Sequence, residues 1–330
     1  MPIPYQLTPS KTADIPQLAQ FATQTLSIGR QHLALSQLAD ALKQRGADAV
    51  FGSQCLGTDG MLAACLATRI SPDAAMLVGC SQTEDVAGSE LLEPTLAHLL
   101  EQLSATGIRF VQACWDDSPD APPFEKNGFQ FIANLDYLAG TIENLQASSN
   151  DQSERLKAGT KASSTDPTPP ESTSAIEAFD PDNAQDRLDI YKVVADTFEK
   201  TLDCPRLNHF RPPQTIVDAY LDSPAFEPAG WRIFRQGGKP IACLITTPYA
   251  SANTLELTYM GAIPEVRGQG WGGKIIDEAI VIAKQFKLTE LILAVDAKNQ
   301  PAIDIYHRTG LTSIAKEAVW GCRLPQSLPI

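Results

Sequence analysis

The spacing of apolar residues in the C-terminal half of the chain predicts alternating helices and strands. Between residues 184 and 200 the apolar side chains stand three or four positions apart, which indicates an amphipathic helix. Apolar segments at 231–236 and 241–247 flank Gly237 and Gly238, and two glycines at this place favour the tight turn of a hairpin. A helix followed by a hairpin is therefore expected at the start of this half.

The pattern continues with two strands and two further helices. Residues 254–262 and 289–295 are apolar runs of strand length, and residues 271–286 between them have helical spacing. A short helix is expected over 300–310, where Gly310 provides a stop signal. Strands and helices that alternate in this way argue for an α/β fold with a mixed sheet.

The N-terminal half repeats the later part of this order. Strands are predicted at 61–70, 74–80 and 109–115, a helix at 89–103, and a short helical end at 122–129. This similarity suggests that the chain contains the same kind of fold twice.

One segment lacks the composition of a folded domain. Residues 146–173 are rich in Ser, Thr, Pro and charged residues and contain almost no large apolar side chain, so they bury too little surface to offset the entropy of ordering. A chain of 330 residues is long enough for two domains. We therefore predict one domain over 1–145, a linker over 146–173 and a second domain over 174–330.

Composition and charge narrow the function without identifying it. The net charge of −13 and the pI of about 4.7 come without a cluster of Lys and Arg, which argues against nucleic-acid binding. The negative charge is compatible with a cationic acceptor, but a need for solubility explains the charge equally well. The seven cysteines form no C-x-x-C pair, as expected of buried thiols in a reducing compartment. Without a signal-peptide pattern, a membrane-spanning run or a metal-ligand cluster, we predict a cytoplasmic protein that needs neither membrane nor metal.

Four glycines, Gly268, Gly270, Gly272 and Gly273, lie between a predicted strand and a predicted helix, and Arg267 adds a cation. Backbone N–H groups at a helix start form an anion site, and glycines allow a diphosphate to come close to them. The spacing differs from the G-x-G-x-x-G of dinucleotide folds and from the Walker loop. A glycine-rich turn without a ligand is the structural alternative.

The run from Met260 to Gly273, MGAIPEVRGQGWGG, resembles the acetyl-CoA loop of the GCN5-related N-acetyltransferase (GNAT) superfamily. The family pattern is Gln or Arg, two residues, Gly, one residue, and then Gly or Ala; Arg267, Gly270 and Gly272 match it. The resemblance covers most of residues 176–323.

A second block of the family pattern lies downstream, at Asn299, Ala302, Tyr306 and Gly310. In the family the Asn side chain contacts the cofactor arm, and the Tyr hydroxyl often protonates the departing thiolate. Leu311 replaces the usual Phe at a position of core packing. Two blocks in the right order make this resemblance specific.

The resemblance implies acetyl-CoA as cosubstrate, Tyr306 as general acid and Glu256 as general base. Glu256 lies four residues before Met260, and residues four apart on a strand share a face, although a family bulge near Met260 would disturb this count. The implied cofactor-binding residues are Met260, Gly261, Ala262, Arg267, Gly268, Gln269, Gly270, Trp271, Gly272, Gly273 and Asn299.

Each candidate also has a purely structural explanation. Tyr306 can be a core aromatic residue of an amphipathic helix, Asn299 can cap that helix, and Glu256 can be a solvated strand residue. Asp203 and His209 lie in a segment where the family often builds its acceptor site, and an ordinary polar loop is the favoured explanation for them.

The N-terminal half resembles a degraded copy of the same fold. Phe124 aligns with Tyr306 and has no hydroxyl. In the aligned N-terminal loop, acidic residues stand where the C-terminal loop has a cation and a glycine. A chance match in a common fold is the alternative. The aligned pairs are Tyr306 with Phe124, Gly310 with Gly128, Met260 with Val78, Arg267 with Asp85, and Gly272 with Glu90.

The tandem interpretation predicts two GNAT-like domains, each a mixed and mostly antiparallel sheet flanked by helices, with acetyl-CoA bound only by the second. The predicted reaction is transfer of an acetyl group to a primary amine. The sequence leaves the acceptor open between small molecules and peptides, and it leaves the oligomeric state open. A non-catalytic CoA-binding or regulatory module is the alternative function.

Overall fold

The computed structural model describes residues 5–9, 14–58, 60–84, 90–116, 122–146, 174–223 and 225–325. They form two compact units, and neither unit is a continuous stretch of chain. The first contains the described residues up to Asn134, His209–Arg211 and those from Glu317 onward. The second contains Leu135–Asn208 and Pro212–Lys316, without the residues that are not described.

The N-terminal half begins with a short strand and two helices that precede the predicted strands. Its elements are β1 (Gln6–Pro9), α1 (Ile15–Thr23), α2 (Ile28–Arg45), β2 (Val50–Gly57), β3 (Gly60–Ser71), β4 (Ala74–Gln82), α3 (Leu92–Ala105), β5 (Phe110–Trp115) and β6 (Gln130–Thr141).

The C-terminal half follows the predicted order, with one more strand and one more helix near its start. Its elements are β7 (Ser174–Ala178), α4 (Ala184–Thr197), α5 (Pro213–Leu221), β8 (Arg232–Gln236), β9 (Lys239–Tyr249), β10 (Thr254–Ala262), α6 (Trp271–Gln285), β11 (Glu290–Asp296), α7 (Gln300–Thr309) and β12 (Thr312–Arg323).

The predicted fold class is confirmed. In each unit most neighbouring strands are antiparallel, and one pair is parallel: β4 with β5, joined through α3, and β10 with β11, joined through α6. In the second unit α6 and α7 cover one face of the sheet, and α4 and α5 cover the other. Among the described residues, no helix has the length and hydropathy needed to cross a membrane.

Each sheet is completed by strand residues from the other half of the sequence. Ala318–Arg323 of β12 pair with β5 in the first unit, and Leu135–Thr141 of β6 pair with β11 in the second, both antiparallel. The predicted boundaries at 145 and 174 treat each domain as one continuous stretch, so they do not include this exchange. The predicted linker, 146–173, lies outside the described residues except for Gln146.

Helix α4 ends three residues before the predicted limit at residue 200. Lys200 has a φ of 51°, a left-handed conformation that cannot continue a right-handed helix. The chain therefore leaves the helix axis after Phe198 and enters the segment that carries Asp203.

The two halves share a local structure where Tyr306 was aligned with Phe124. The N–H of Leu311 donates to the carbonyl of Tyr306 at 3.0 Å, and the N–H of Phe129 donates to that of Phe124, also at 3.0 Å. The intervening glycines, Gly310 and Gly128, both have positive φ, 103° and 79°. This matching geometry supports the internal repeat at its C-terminal end.

Along the parallel strands the predicted alignment is wrong by two residues. The β4–β5 ladder ends at Leu77 and the β10–β11 ladder ends at Leu257. Just after these points each strand has a bulge of one unpaired residue. It is Val78 where β4 pairs with β3, and Thr258 where β10 pairs with β9. Met260 therefore corresponds to Cys80 and not to Val78. The aligned loop residues 85–89 lie outside the described part of the chain.

A buried ion pair ties β12 into the first unit. Arg30 of α2 and Glu317 are 2.9 Å apart, and each is only 7% exposed. The Arg30 guanidinium also donates to the backbone carbonyl of Cys114, on β5. Removing one partner of such a pair leaves a buried charge without compensation, which is strongly destabilising.

Glu317→Gln is therefore expected to lower the free energy of unfolding of the first unit by about 3 kcal/mol. Glu93→Gln, which breaks the exposed pair with Lys126, is the control and should cost less than about 1 kcal/mol. Hydrogen exchange of β5 and β12 in increasing urea measures both effects. Equal exchange in the two variants would show that the buried pair does not hold β12 in place.

Candidate functional site

The strands β10 and β11 separate before they end. Their parallel ladder joins Thr254–Leu257 to Glu290–Leu293, whereas the strands continue to Ala262 and Asp296, all within the described residues. The extra residue at Thr258 shifts the pairing of β10 with β9 at the same place. An opening is therefore left beside Tyr259–Ala262, where the edge of β10 that faces β11 has no partner strand.

A cleft of about 990 Å³ starts at this opening, a volume at the upper end of the range for ligand pockets. It is lined by the end of α4 and the segment after it, the end of β10, the loop before α6 with the start of that helix, α7 along its length, and Gln146. Among the lining residues are Thr197, Phe198, Lys200–Asp203, Tyr259–Ala262, Arg267, Gly268, Gly270–Gly273, Asn299 and Arg308.

Most of the predicted cofactor-binding residues meet in this cleft, and both predicted catalytic residues lie outside its lining. The predicted residues that line it are Met260, Gly261, Ala262, Arg267, Gly268, Gly270, Trp271, Gly272, Gly273 and Asn299; those that do not are Gln269, Glu256 and Tyr306. His209 also lies outside the lining, in the segment His209–Arg211 of the first unit.

The loop before α6 directs the start of that helix towards the cleft. Gly270 directly precedes Trp271, the first residue of α6, and has a φ of 84°, which strongly favours glycine. A Cβ on Gly272 would lie 2.6 Å from Cδ1 of Ile305, so α6 and α7 pack closely here. The first N–H groups of a helix have no partner within it and carry partial positive charge. This end of the cleft is therefore suited to an anion.

The side chain of Arg267 has partners that the sequence did not indicate. Its guanidinium donates to the carbonyl of Ala262 at 3.0 Å, and to the carbonyls of Thr197 at 2.7 Å, Glu199 at 2.8 Å and Lys200 at 3.2 Å. Three of these carbonyls belong to the C-terminal end of α4 and the residues that follow it. Arg267 therefore caps α4 and joins the glycine loop to the segment that carries Asp203.

Asn299 occupies the N-cap position of α7 without capping the helix. Its side chain makes no hydrogen bond to the N–H groups of α7, and its polar group contributes to lowering the pKa of the nearby Asp203 carboxyl. The explanation of Asn299 as a helix cap alone is thus wrong.

Asp203 and Asp296 hold the two sides of the opening together. The backbone N–H of Asp296 donates to Oδ1 of Asp203 at 2.9 Å, and the backbone N–H of Cys204 donates to Oδ2 of Asp296 at 3.1 Å. Burial raises the pKa of Asp203, and the nearby charge of Asp296 raises it further, while the hydrogen bonds from Asp296 and Asn299 lower it.

Tyr306 lies in the core of the second unit and is only 5% exposed. Burial raises the pKa of its phenol, and the charge of Asp203 raises it further. The ring packs against apolar side chains, and Tyr306 is not among the residues that line the cleft.

The bulge at Thr258 puts Glu256 and Met260 on opposite faces of the sheet. In the pairing with β9, Glu256 stands opposite Thr247 and Tyr259 stands opposite Ile245, so Glu256 shares its face with Tyr259. The prediction that Glu256 shares a face with Met260 is therefore wrong. Burial raises the pKa of Glu256, and a hydrogen bond with Tyr249 opposes that shift.

Several lining residues had no sequence signal that would have identified them. Thr197 and Tyr259 share a hydrogen bond between their hydroxyls, and Leu202 is 53% exposed beside Asp203. Tyr259 is adjacent to a predicted residue, but its orientation depends on the bulge. Arg308 is a basic residue in the last turn of α7, and nothing in the sequence marked it as part of a site.

Comparisons with known proteins agree with this geometry. Residues 194–311 match the acetyltransferase (GNAT) family. A GCN5-related N-acetyltransferase from Sphaerobacter thermophilus has 13% identity and a TM-score of 0.60, with coverage of 100% of this chain and 99% of that chain. No curated protein matches the sequence.

A second similar structure is the GCN5-related glucosamine N-acetyltransferase region of a fungal multi-domain GH3 β-N-acetylglucosaminidase. It has 14% identity and a TM-score of 0.61, and the similarity covers 97% of this chain and 38% of that one. At these identities the likeness concerns the fold. The family match concerns residues 194–311, and the two structures show that the chain shares the fold of GCN5-related N-acetyltransferases.

Proposed function

We propose that the protein is an N-acetyltransferase that transfers an acetyl group from acetyl-CoA to a primary amine. The observation that carries this proposal is the single cleft that joins the unpaired edge of β10 to the start of α6. A long thioester substrate with an anionic end requires such a combination of strand edge and anion site.

The residues fit acetyl-CoA at both ends. The diphosphate would be bound by backbone N–H groups of Gly268–Gly273, because glycines permit close approach and the helix dipole favours negative charge. The amide groups of the pantetheine arm would bond the free edge of β10 at Met260–Ala262, as an added strand does. Because the guanidinium of Arg267 donates to backbone carbonyls, we assign it to positioning this loop.

The reaction itself needs an uncharged amine nitrogen and a protonated leaving group. The nitrogen attacks the thioester carbonyl carbon, a C–N bond forms and the C–S bond breaks. The amine loses a proton, and the departing thiolate gains one. We propose Glu256 as the proton acceptor, acting through water because the bulge turns it away from Met260, and Tyr306 as the proton donor.

The first unit is proposed to keep the fold without this chemistry. Phe124 takes the place of Tyr306 and offers no hydroxyl. We therefore expect one acetyl-CoA site per chain, in the second unit.

The direct test incubates the full chain with acetyl-CoA and a panel of small-molecule and peptide amines, and follows the release of free thiol. Amine-dependent thiol release with formation of the acetylated amine supports the proposal. Its absence across the panel, with acetyl-CoA bound, contradicts it.

A non-catalytic CoA-binding module is the second candidate. It is favoured by the finding that neither Glu256 nor Tyr306 lines the cleft. Acetyl-CoA binding without thiol release, unaffected by substitution of either residue, would establish this alternative.

Gly270→Glu is expected to weaken acetyl-CoA binding by roughly 100-fold or more, because a carboxylate near the diphosphate repels it by several kcal/mol at an effective dielectric near 20. Gly238→Glu is a matched control: its φ of 77° is close to the 84° of Gly270, and a Cβ there meets nothing within 4 Å. Calorimetry measures both affinities. An unchanged affinity of Gly270→Glu for acetyl-CoA would show that this loop does not bind the diphosphate.

Tyr306→Phe is expected to lower kcat by about 100-fold, within the range for general acid catalysis, and to leave the affinity for acetyl-CoA unchanged. Tyr191→Phe, which removes a hydroxyl that bonds Asp218 at the surface, is the control. An unchanged kcat in Tyr306→Phe would mean that Tyr306 serves only in core packing, or that proton delivery is not rate-limiting.

Glu256→Gln is expected to remove the acidic limb of the kcat/KM profile. A general base works in its ionised form, so activity falls as the pH falls through its pKa, and burial places that pKa above the ordinary range for Glu. Glu290→Gln, on the neighbouring strand, should keep the limb. Persistence of the limb in Glu256→Gln would assign the proton acceptor to another group.

A further inference from the structure

We propose that Cys65 and Cys80 are a site of reversible oxidation, at which a peroxide converts the two thiols into a disulfide between β3 and β4. A thiol reductant restores both thiols. The site lies in the first unit, and the inference does not depend on the proposed acetyltransferase function. The sequence contains no C-x-x-C pair, so this pair is brought together by the register of two strands.

The two cysteines stand directly opposite each other on antiparallel strands. Cys65 of β3 is paired with Cys80 of β4, and their sulfur atoms are 2.8 Å apart. Further along the same two strands, the N–H of Thr83 donates to the carbonyl of Leu62. Because hydrogen-bonded and non-hydrogen-bonded pairs alternate, Cys65 and Cys80 form a non-hydrogen-bonded pair. The Cα atoms of such a pair are about 4.5 Å apart, which a disulfide can span.

The pair is enclosed by the core of the first unit. Cys65 is 0% exposed and Cys80 is 2% exposed. Cys65 also stands opposite Ser53 of β2, whose hydroxyl shares a hydrogen bond with His98 of α3, so the two thiols lie on the face of the sheet that α3 covers. Burial raises the pKa of the Cys80 thiol well above its ordinary value, and its hydrogen bond to Cys65 raises it further. Cys80 is therefore protonated while the core is closed.

The end of β4 is held by one neighbouring strand. The parallel ladder with β5 ends at Leu77. Beyond the bulge at Val78, β4 pairs with β3 alone among the described strands. A strand end with one unpaired edge opens locally more often than a strand that is paired on both edges. Local opening of this end gives a peroxide access to the thiols, and a disulfide at Cys80 holds the same end against β3.

The oxidation balances with a peroxide as the electron acceptor. The thiolate of one cysteine attacks hydrogen peroxide, the O–O bond breaks, and a sulfenic acid forms. The hydroxide that leaves takes up the proton of that thiol and becomes water. The second thiol attacks the sulfenic sulfur, the S–S bond forms, the S–O bond breaks, and the oxygen leaves as a second water. The two sulfur atoms are oxidised by two electrons in total, and the peroxide is reduced by the same two.

The test treats the full chain with hydrogen peroxide, in buffer and in urea below the unfolding transition, where strand ends open more often. Free thiols are then alkylated, and mass spectrometry identifies cross-linked peptides. The expected product joins Cys65 to Cys80 and is separated by dithiothreitol. The loop that it closes joins positions 15 apart in the chain. Hydrogen exchange of β3 and β4 should therefore be about 10- to 100-fold slower in the oxidised protein, and dithiothreitol should restore the original rate.

Cys55→Ala is the matched control, because Cys55 is an equally buried thiol on the neighbouring strand and stands opposite Ala63. It should keep both the cross-link and the slower exchange. Cys65→Ala and Cys80→Ala should each lose both effects. Comparing the oxidised with the reduced protein within each variant separates the disulfide from changes in core packing, and the wild-type measurement needs none of these variants to fold.

Free thiols at both positions after peroxide treatment, in buffer and in urea alike, would overturn the proposal. So would a cross-link to another cysteine, a sulfenic or sulfinic acid without a cross-link, or an exchange rate that the cross-link leaves unchanged.

Discussion

The early separation of β10 from β11 is the constraint on which the candidate site depends. Parallel strands joined through a helix normally pair along their length, but this ladder ends at Leu257 while both strands continue. The bulge at Thr258 occurs at the same point and keeps β10 paired with β9 beyond it. One edge of β10 is thereby left free, and the start of α6 opens onto the same cleft.

The surrounding contacts fix the two ends of the cleft relative to each other. Arg267 joins the glycine loop to the end of α4 through backbone carbonyls. Asp203, a few residues further on, is joined to the end of β11 by the N–H of Asp296. The glycine loop and the end of β11 are therefore connected by one short segment of chain.

Local sequence patterns predicted the elements and the glycine loop because those features depend on neighbours in the chain. The limits of β10 agree with the apolar run at 254–262, and the loop lies directly before α6 as expected. The face of Glu256 was predicted wrongly, because one extra residue in a strand reverses every side chain after it and the apolar pattern does not mark that residue. The exchange of β6 and β12 residues and the bond between the N–H of Asp296 and Asp203 depend on distant parts of the chain. No local pattern records such contacts.

A crystal structure of the full chain grown with CoA tests the central claim most directly. The account predicts one CoA per chain, with its diphosphate within hydrogen-bonding distance of the N–H groups of Gly268–Gly273 and its pantetheine arm along Met260–Ala262. The thiol should then lie at the opening between β10 and β11, near Asp203. CoA bound elsewhere, or an arm that does not follow the free edge of β10, would contradict the account.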